Sequence, residues 1–147
     1  MITVQIETYS ECVDDLKRLH HEHHNETNGA NFFALNPDYA TYTRLAESGV
    51  LNMVSVRNGL VLVGYLLFII ITDLHHQIKT AIEDIYFLQK QYRGAWVGVK
   101  MFRAFISKAK QLGAKIIRVS APIAADNAAI FKRLGLLPSE INYSMGV

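Results

Sequence analysis

IEDIYFLQKQYRGAWVGVKMFRAFISKAKQL, residues 82 to 112, decides the fold. Ile82, Ile85, Tyr86, Phe87 and Leu88 make a β-rich apolar run, short enough to be a strand buried on both faces. Gln89 to Gly94 breaks it. From Ala95 the period changes: Val99, Phe102, Phe105, Ile106, Ala109 and Leu112 share one helical stripe, and Lys100, Arg103, Ser107 and Lys110 share another. Gly113 stands where a left-handed C-cap belongs. A strand that enters a helix through a glycine-containing turn aims several main-chain N–H groups at one point, and the helix dipole adds partial positive charge there. Arg93 adds a full one. Such a junction suits a phosphate or pyrophosphate, and Gly94 and Gly98 leave room for a ligand or a neighbouring strand. The plainer alternative is an ordinary strand–turn–helix with an arginine in its loop.

The stretch DIYFLQKQYRGAWVGVKMF (84–102) resembles the acyl-CoA-binding segment of the GNAT acyltransferase superfamily, in which an apolar strand runs into Arg/Gln-x-x-Gly-x-Gly/Ala and then a helix. Arg93 matches the first position and Gly98 the last, while Trp96 stands where the first glycine is usual. AADNAAIFKRLGLLPSEINYSM (124–145) is similar to the family's closing helix, strand-entry glycine and final strand. The YRG-x-W-x-G variant is also similar to GNAT-like proteins encoded by tailed bacteriophages.

The rest of the chain bounds these readings. At 147 residues with 50% hydrophobic and 19% charged residues, one domain (1–147) with a true core is expected. The single cysteine, Cys12, makes no internal disulfide and reads as a buried, inert thiol in a reducing compartment. The start, MITVQIETYSE, lacks the features of a signal peptide. The apolar run Leu60 to Ile71 is short of the ~20 residues a membrane span needs, so a cytoplasmic protein without a membrane partner is expected, in the host cytoplasm if phage-encoded. Residues 1–49 carry eight acids against three Lys or Arg, and residues 50–147 five against twelve, so the basic part holds the candidate phosphate turn. The positive charges are spread rather than massed, and no nucleic-acid motif appears.

In chain order, Thr3–Glu7 reads as a strand, Ser10 as the cap of a helix whose inward side is Val13, Leu16, Leu19 and His20 or His23, and 20–38 as a loop. His20 and His24, four apart, could share a helix face as a metal corner. No Cys or further carboxylate offers a third ligand, so a solvated helix end is expected and no metal is assigned. Phe32 and Phe33 read as core anchors or as the lid of an acceptor site. Tyr39–Glu47 reads as a helix and Val50–Arg57 as a strand. Asn58-Gly59 is the hairpin signal, and Leu60–Thr72 returns as a strand with a bulge at Gly64. Lys115–Ser120 should lie parallel to the 82–88 strand, and splayed ends of such a pair leave a slot for an extended ligand. Asp126 or Asn127 caps a helix over 128–134, and Ile141–Met145 is the closing strand.

The resemblance implies a mixed α/β fold, with a twisted, mostly antiparallel sheet, a central splayed parallel pair and helices on both faces. It implies acyl-CoA-dependent N-acyl transfer, from acetyl-CoA to an amine of a small molecule or protein. Arg93, Gly94, Ala95, Trp96 and Gly98 would hold the pyrophosphate, and Leu88 and Gln89 the pantetheine in the slot. Asn127 and Phe131 are the cofactor-side residues of the closing helix. A main-chain N–H of Leu88 or Gln89 would polarise the thioester. Glu83, then Asp84, is the candidate base; both are equally readable as charges at a strand entrance. The family's acidic tyrosine falls at Phe131, which has no proton to give, so Tyr143 is the candidate acid, with Tyr86 and Tyr92 equal to it on sequence grounds. A histidine of 20–24 would border the acceptor pocket, built from Asn25–Asp38 and the 73–80 connection. The alternative is a catalytically degenerate binding or structural protein of this fold, motivated by Trp96 and Phe131; a basic nucleic-acid module is a weaker third reading. A homodimer stays open.

Overall fold

The computed structural model describes residues 1–27, 33–94, 96–122 and 128–147. Its elements are β1 (Ile2–Glu7), α1 (Tyr9–Glu26), α2 (Tyr39–Glu47), β2 (Leu51–Asn58), β3 (Val61–Thr72), β4 (Lys79–Leu88), a 3-10 turn (Lys90–Tyr92), α3 (Val97–Gln111), β5 (Ile116–Arg118) and α4 (Ala128–Arg133). The strands form one sheet in the order β1-β2-β3-β4-β5. Neighbours are antiparallel as far as β4, and β5 runs parallel to β4. The expected mixed α/β architecture is borne out.

Each face of the sheet buries its own apolar layer. Phe68, Val54, Leu66 and Ala81 meet Phe102, Phe105 and Ala109 of α3, with the Phe68 and Phe105 rings 4.6 Å apart. On the other face Met53, Tyr65, Leu67 and Phe87 meet Tyr9, Cys12, Leu16 and Leu19 of α1, and Tyr39, Tyr42 and Leu45 of α2 pack on that layer. The side chains alternate because successive strand residues point to opposite faces. Cys12 is fully buried, and burial pushes its thiol up to about 11. Among the described residues no helix is long and apolar enough to cross a membrane.

Several boundaries differ from the sequence reading for physical reasons. α1 starts at Tyr9 behind Thr8, whose hydroxyl bonds the Glu11 carboxylate, so Ser10 is inside the helix. The helix also continues to Glu26 instead of fading at His20, because His20 takes a core position in the stripe Tyr9, Cys12, Leu16, Leu19 and is 5% exposed. The hairpin loop is Gly59-Leu60, with Asn58 paired to Val61 and Gly59 at φ +61°. The bulge near Gly64 is present: Val56 faces Gly64 but Arg57 faces Leu62, leaving Val63 as the extra residue. The closing strand does not form. Residues after Gly135 have no regular structure, and Ile141, Tyr143 and Met145 are 68%, 90% and 80% exposed. The parallel pair therefore sits at the sheet edge rather than its middle. The Asp126/Asn127 cap and Phe32 lie outside the described residues.

The β1–β2 edge carries a compact charge cluster. Arg57 Nε lies 2.8 Å from the Glu7 carboxylate, Ser55 also donates to Glu7, and Arg57 Nη1 donates to the Leu60 carbonyl at 2.7 Å. Burial alone would raise the Glu7 pKa, but the hydrogen bonds from Arg57 and Ser55 win and hold it at about 2. A carboxyl depressed in the fold stabilises the fold above its unfolded pKa and stops doing so as pH falls through the folded value. Acid titration from pH ~4.5 down to ~2 should thus erode stability. Arg57→Met should flatten that limb of a urea-midpoint-against-pH curve while lowering stability at pH 7. Parallel curves for the two proteins would refute the assignment.

Candidate functional site

Pairing between β4 and β5 lasts from Thr80–Ile116 to Ile82–Arg118 and then stops. β4 runs on to Leu88, so one of its edges opens onto a slot. The cause is local. Phe68 faces Glu83 and Leu67 faces Ile85, which makes Asp84 an extra residue. A bulge bends its strand and sharpens the twist, here where the two parallel strands fork.

Glu83 spans the fork. Its Oε2 accepts the Ser120 N–H at 3.0 Å and the Ser120 hydroxyl at 2.9 Å. The Tyr86 hydroxyl donates to the Ser120 carbonyl at 3.1 Å. Burial raises the Glu83 carboxyl above the usual range, against the lowering effect of the Ser120 bonds, and the neighbouring Asp84 charge pushes it further up. Asp84 turns to the other face, as strand alternation predicts, and accepts from the Tyr42 hydroxyl at 2.8 Å.

The far end of the slot distinguishes the two candidate amides. Gln89 N–H donates to the Val63 carbonyl at 3.0 Å, inside the sheet, and its side chain donates to Glu22 at 2.8 Å. Main-chain groups of adjacent strand residues turn to opposite sides in an antiparallel ladder. The Leu88 N–H and C=O therefore face the slot, and that carbonyl accepts from Arg93 Nε at 2.6 Å.

Arg93 is more engaged than its sequence position implies. Its guanidinium meets Glu26 through Nη1–Oε1 at 2.7 Å and Nη2–Oε2 at 2.8 Å, and lies 5.5 Å from the Phe87 ring centre. This two-pronged pair ties the end of α1 to the turn before α3. Nothing in the sequence marks it, since the partners are 67 residues apart. Gly94 sits at φ +111°, a conformation that glycine adopts without strain. α3 begins at Val97 rather than Ala95, and Trp96 precedes it in a left-handed conformation at φ 74°. For a bulky residue this costs roughly 1–3 kcal/mol. Ala95 and Asn127 lie outside the described residues.

These parts enclose a cavity of about 620 Å³, whose wall includes Glu83, Asp84, Leu88, Arg93, Gly94, Trp96 and Gly98. The indole does not plug it. Trp96 is 49% exposed at the wall, with the Arg133 guanidinium of α4 stacked 3.6 Å from its ring centre. A Cβ added at Gly98 would meet nothing nearer than Ile130 Cδ1 at 3.8 Å, so that glycine keeps space open rather than relieving a clash. Phe131 turns away and packs edge-on against Phe102 at 5.2 Å. Among the three tyrosines considered as acids, Tyr86 lines the cavity, whereas Tyr92 and Tyr143 do not.

A second cavity of about 410 Å³ adjoins it, and His23, Thr27 and Ile85 belong to both walls. Residues 33–37 line it as expected, but the 73–80 connection does not, because it precedes β4 and the slot opens at that strand's other end. Phe33 is 73% exposed on this wall and is not a core anchor. The histidines divide by burial. His20 Nδ1 is 3.2 Å from the Tyr39 hydroxyl, and desolvation pushes its pKa down to about 4. His23 stacks on Phe87 at 4.8 Å with Nδ1 3.2 Å from the Tyr65 hydroxyl, and burial lowers its pKa as well. A solvated helix end is thus wrong for these two, whereas the inward side expected of His20 or His23 is borne out: His20 lines the second cavity and His23 stands between the two. Among the described residues no three His, Cys, Asp or Glu side chains gather as a metal site.

Comparison with solved structures shows the fold. The chain aligns over its whole length with an aminoglycoside acetyltransferase from an uncultured soil metagenomic sample, at a TM-score of 0.78 and 19% identity over 99% of that chain. It aligns equally well, at a TM-score of 0.78 and 12% identity over 98% of the other chain, with the ribosomal-protein-alanine N-acetyltransferase of Brucella melitensis biovar Abortus 2308. Glucosamine-6-phosphate N-acetyltransferase of Arabidopsis thaliana matches at a TM-score of 0.74 and 12% identity, with 99% of this chain and 98% of that one covered. No family model and no curated protein matches the sequence. The chain has the fold of the GNAT acyltransferases.

Proposed function

We propose that this protein is an N-acyltransferase that moves an acetyl group from acetyl-CoA to an amine. The observation that carries the reading is the fork: Leu88 turns its N–H into a slot where β5 has left β4, beside a C=O that Arg93 already holds, and the slot leads to the turn before α3. An extended amide-bearing arm can add to such an edge as a strand would, with the diphosphate at the Arg93–Gly98 turn.

The residues then take these parts. The Leu88 N–H polarises the thioester carbonyl, a role in which main-chain donors are effective because they need no reorganisation. Glu83 removes the amine proton, directly or through one water, and its raised pKa makes it a stronger base than an ordinary carboxylate. The C–N bond forms, the C–S bond breaks, and the thiolate takes a proton from the Tyr86 side or from solvent. The acceptor enters through the second cavity, past His23 and Tyr42. Three neighbours are named for three unlike acceptors, so the fold does not name this one. A cytoplasmic setting, where acetyl-CoA is available, belongs to the same reading.

Calorimetric titration with acetyl-CoA tests it. Binding together with acetyl transfer to at least one amine of a small-molecule and peptide panel is expected. Phe131, half-buried against Phe102 where the family carries a proton donor, favours the second reading of a binding protein without catalysis. Acetyl-CoA binding without transfer to any amine would support that reading, and no binding would end the first.

A further inference from the structure

The sole tryptophan of the chain is not part of the core. Trp96 holds a left-handed backbone, is half exposed, and makes no side-chain capping bond to α3. Strain of this kind persists where the surroundings over-determine it, and it clusters at ligand clamps. The element that meets it is Arg133, brought in from α4 and stacked on the indole at 3.6 Å. Among the described residues no carboxylate lies within ion-pair distance of Arg133. Both side chains line the donor cavity. Packing does not explain an exposed indole, and helix capping does not explain a strained one. A flat π surface with a cation fixed on it, at the wall of a cavity, suits a ligand with an aromatic ring and a phosphate close together.

We propose that Trp96 and Arg133 form a clamp for the adenosine bisphosphate end of the acyl-CoA, with the purine stacked on the indole and a phosphate paired with the guanidinium. This inference rests on the acyl-CoA reading above and adds a specificity to it. A glycine at position 96 would leave the purine with no ring to stack on and the Arg133 guanidinium with no surface to hold it in place. With the clamp, the nucleotide half carries enough of the affinity to be recognised by itself, and pantetheine thioesters that lack it are poor donors.

The single tryptophan makes the test direct. Emission of the protein is followed during titration with CoA, with adenosine 3′,5′-bisphosphate and with pantetheine, and binding of each is measured in parallel by calorimetry. CoA and the bisphosphate should quench or shift Trp96 emission, and pantetheine should not. Trp96→Gly and Arg133→Ala should each weaken CoA binding at least about tenfold and lower the preference for CoA over pantetheine by a similar factor, while Trp96→Phe recovers part of the loss. Trp96→Gly relieves a positive φ, so its fold is not at risk, and a thermal melt verifies this for all three variants. CoA that binds by calorimetry without moving the emission, or that binds Trp96→Gly as tightly as the parent, overturns the clamp and leaves the acyltransferase reading standing. Failure of every ligand to bind overturns both.

Discussion

Glu83→Gln is expected to lower kcat for acetyl transfer by about 100-fold or more, the usual contribution of a positioned general base, without loss of thermal stability. The two outcomes separate because of where the carboxylate lies. Ser120 donates to Glu83 twice through the same oxygen, and a glutamine oxygen can accept both bonds. Burial raises the Glu83 pKa in the fold. A carboxyl of this kind favours the folded state in its protonated form, so its contribution falls as pH rises from the unfolded value through the folded one. At neutral pH the ionised group is therefore a slight burden on the fold, and the neutral amide removes it. For the reaction the sign is opposite: the ionised form is the base, so kcat/KM should decline as pH falls through a value above ~4.5. The measurement is a pH profile of kcat/KM for the parent, set beside melting curves of both proteins. A variant that keeps its acid limb and loses less than about threefold in kcat would remove Glu83 from the chemistry and return it to a strut that holds Ser120 at the fork.

Gly64→Val should be the most damaging single change to the fold among those the structure marks. A Cβ at this position would lie 2.6 Å from Leu88 Cδ1, 3.0 Å from the Phe87 carbonyl oxygen and 3.3 Å from Leu88 Cα. Two of these contacts are main chain and cannot swing away. Overpacking of this kind costs about 3 kcal/mol, and a domain of this size should lose roughly 10 °C in Tm. The same clash pushes on the residue whose N–H faces the slot. KM for acetyl-CoA should rise even at temperatures where the variant is folded, whereas a purely global defect would leave KM unchanged. Gly59→Ala is the control: no atom lies within 4 Å of its added Cβ, and only the positive φ is penalised, by about 1 kcal/mol.

Much of this was legible in the chain. The change of period between Leu88 and Val99, with Gly113 at its end, places a strand before a helix, and a strand after that helix must return parallel. Local chemistry is enough for such statements because they concern neighbours in sequence. It ended α1 too early and read its histidines as a solvated end, although it also placed His20 or His23 on the inward side, where both lie. Imidazole is apolar enough to be buried once a phenol partners it, as Tyr39 does for His20 and Tyr65 for His23. It also expected a closing strand over Ile141–Met145, because an apolar run can suggest a strand without supplying the edge to which it must pair.

By itself the sequence determined the order of the elements, the glycine that lets the turn before α3 adopt its shape, and the presence of a carboxylate pair in the strand ahead of that turn. Tertiary structure alone decided that the Leu88 amide faces the slot and the Gln89 amide does not, that Arg93 is held by Glu26, and that Trp96 lies under Arg133 rather than filling the hollow. These pairings join residues from distant parts of the chain, across a bulge at Asp84 that turns the strand. No local preference encodes such contacts, since they exist only after the sheet and both helical layers have closed on one another.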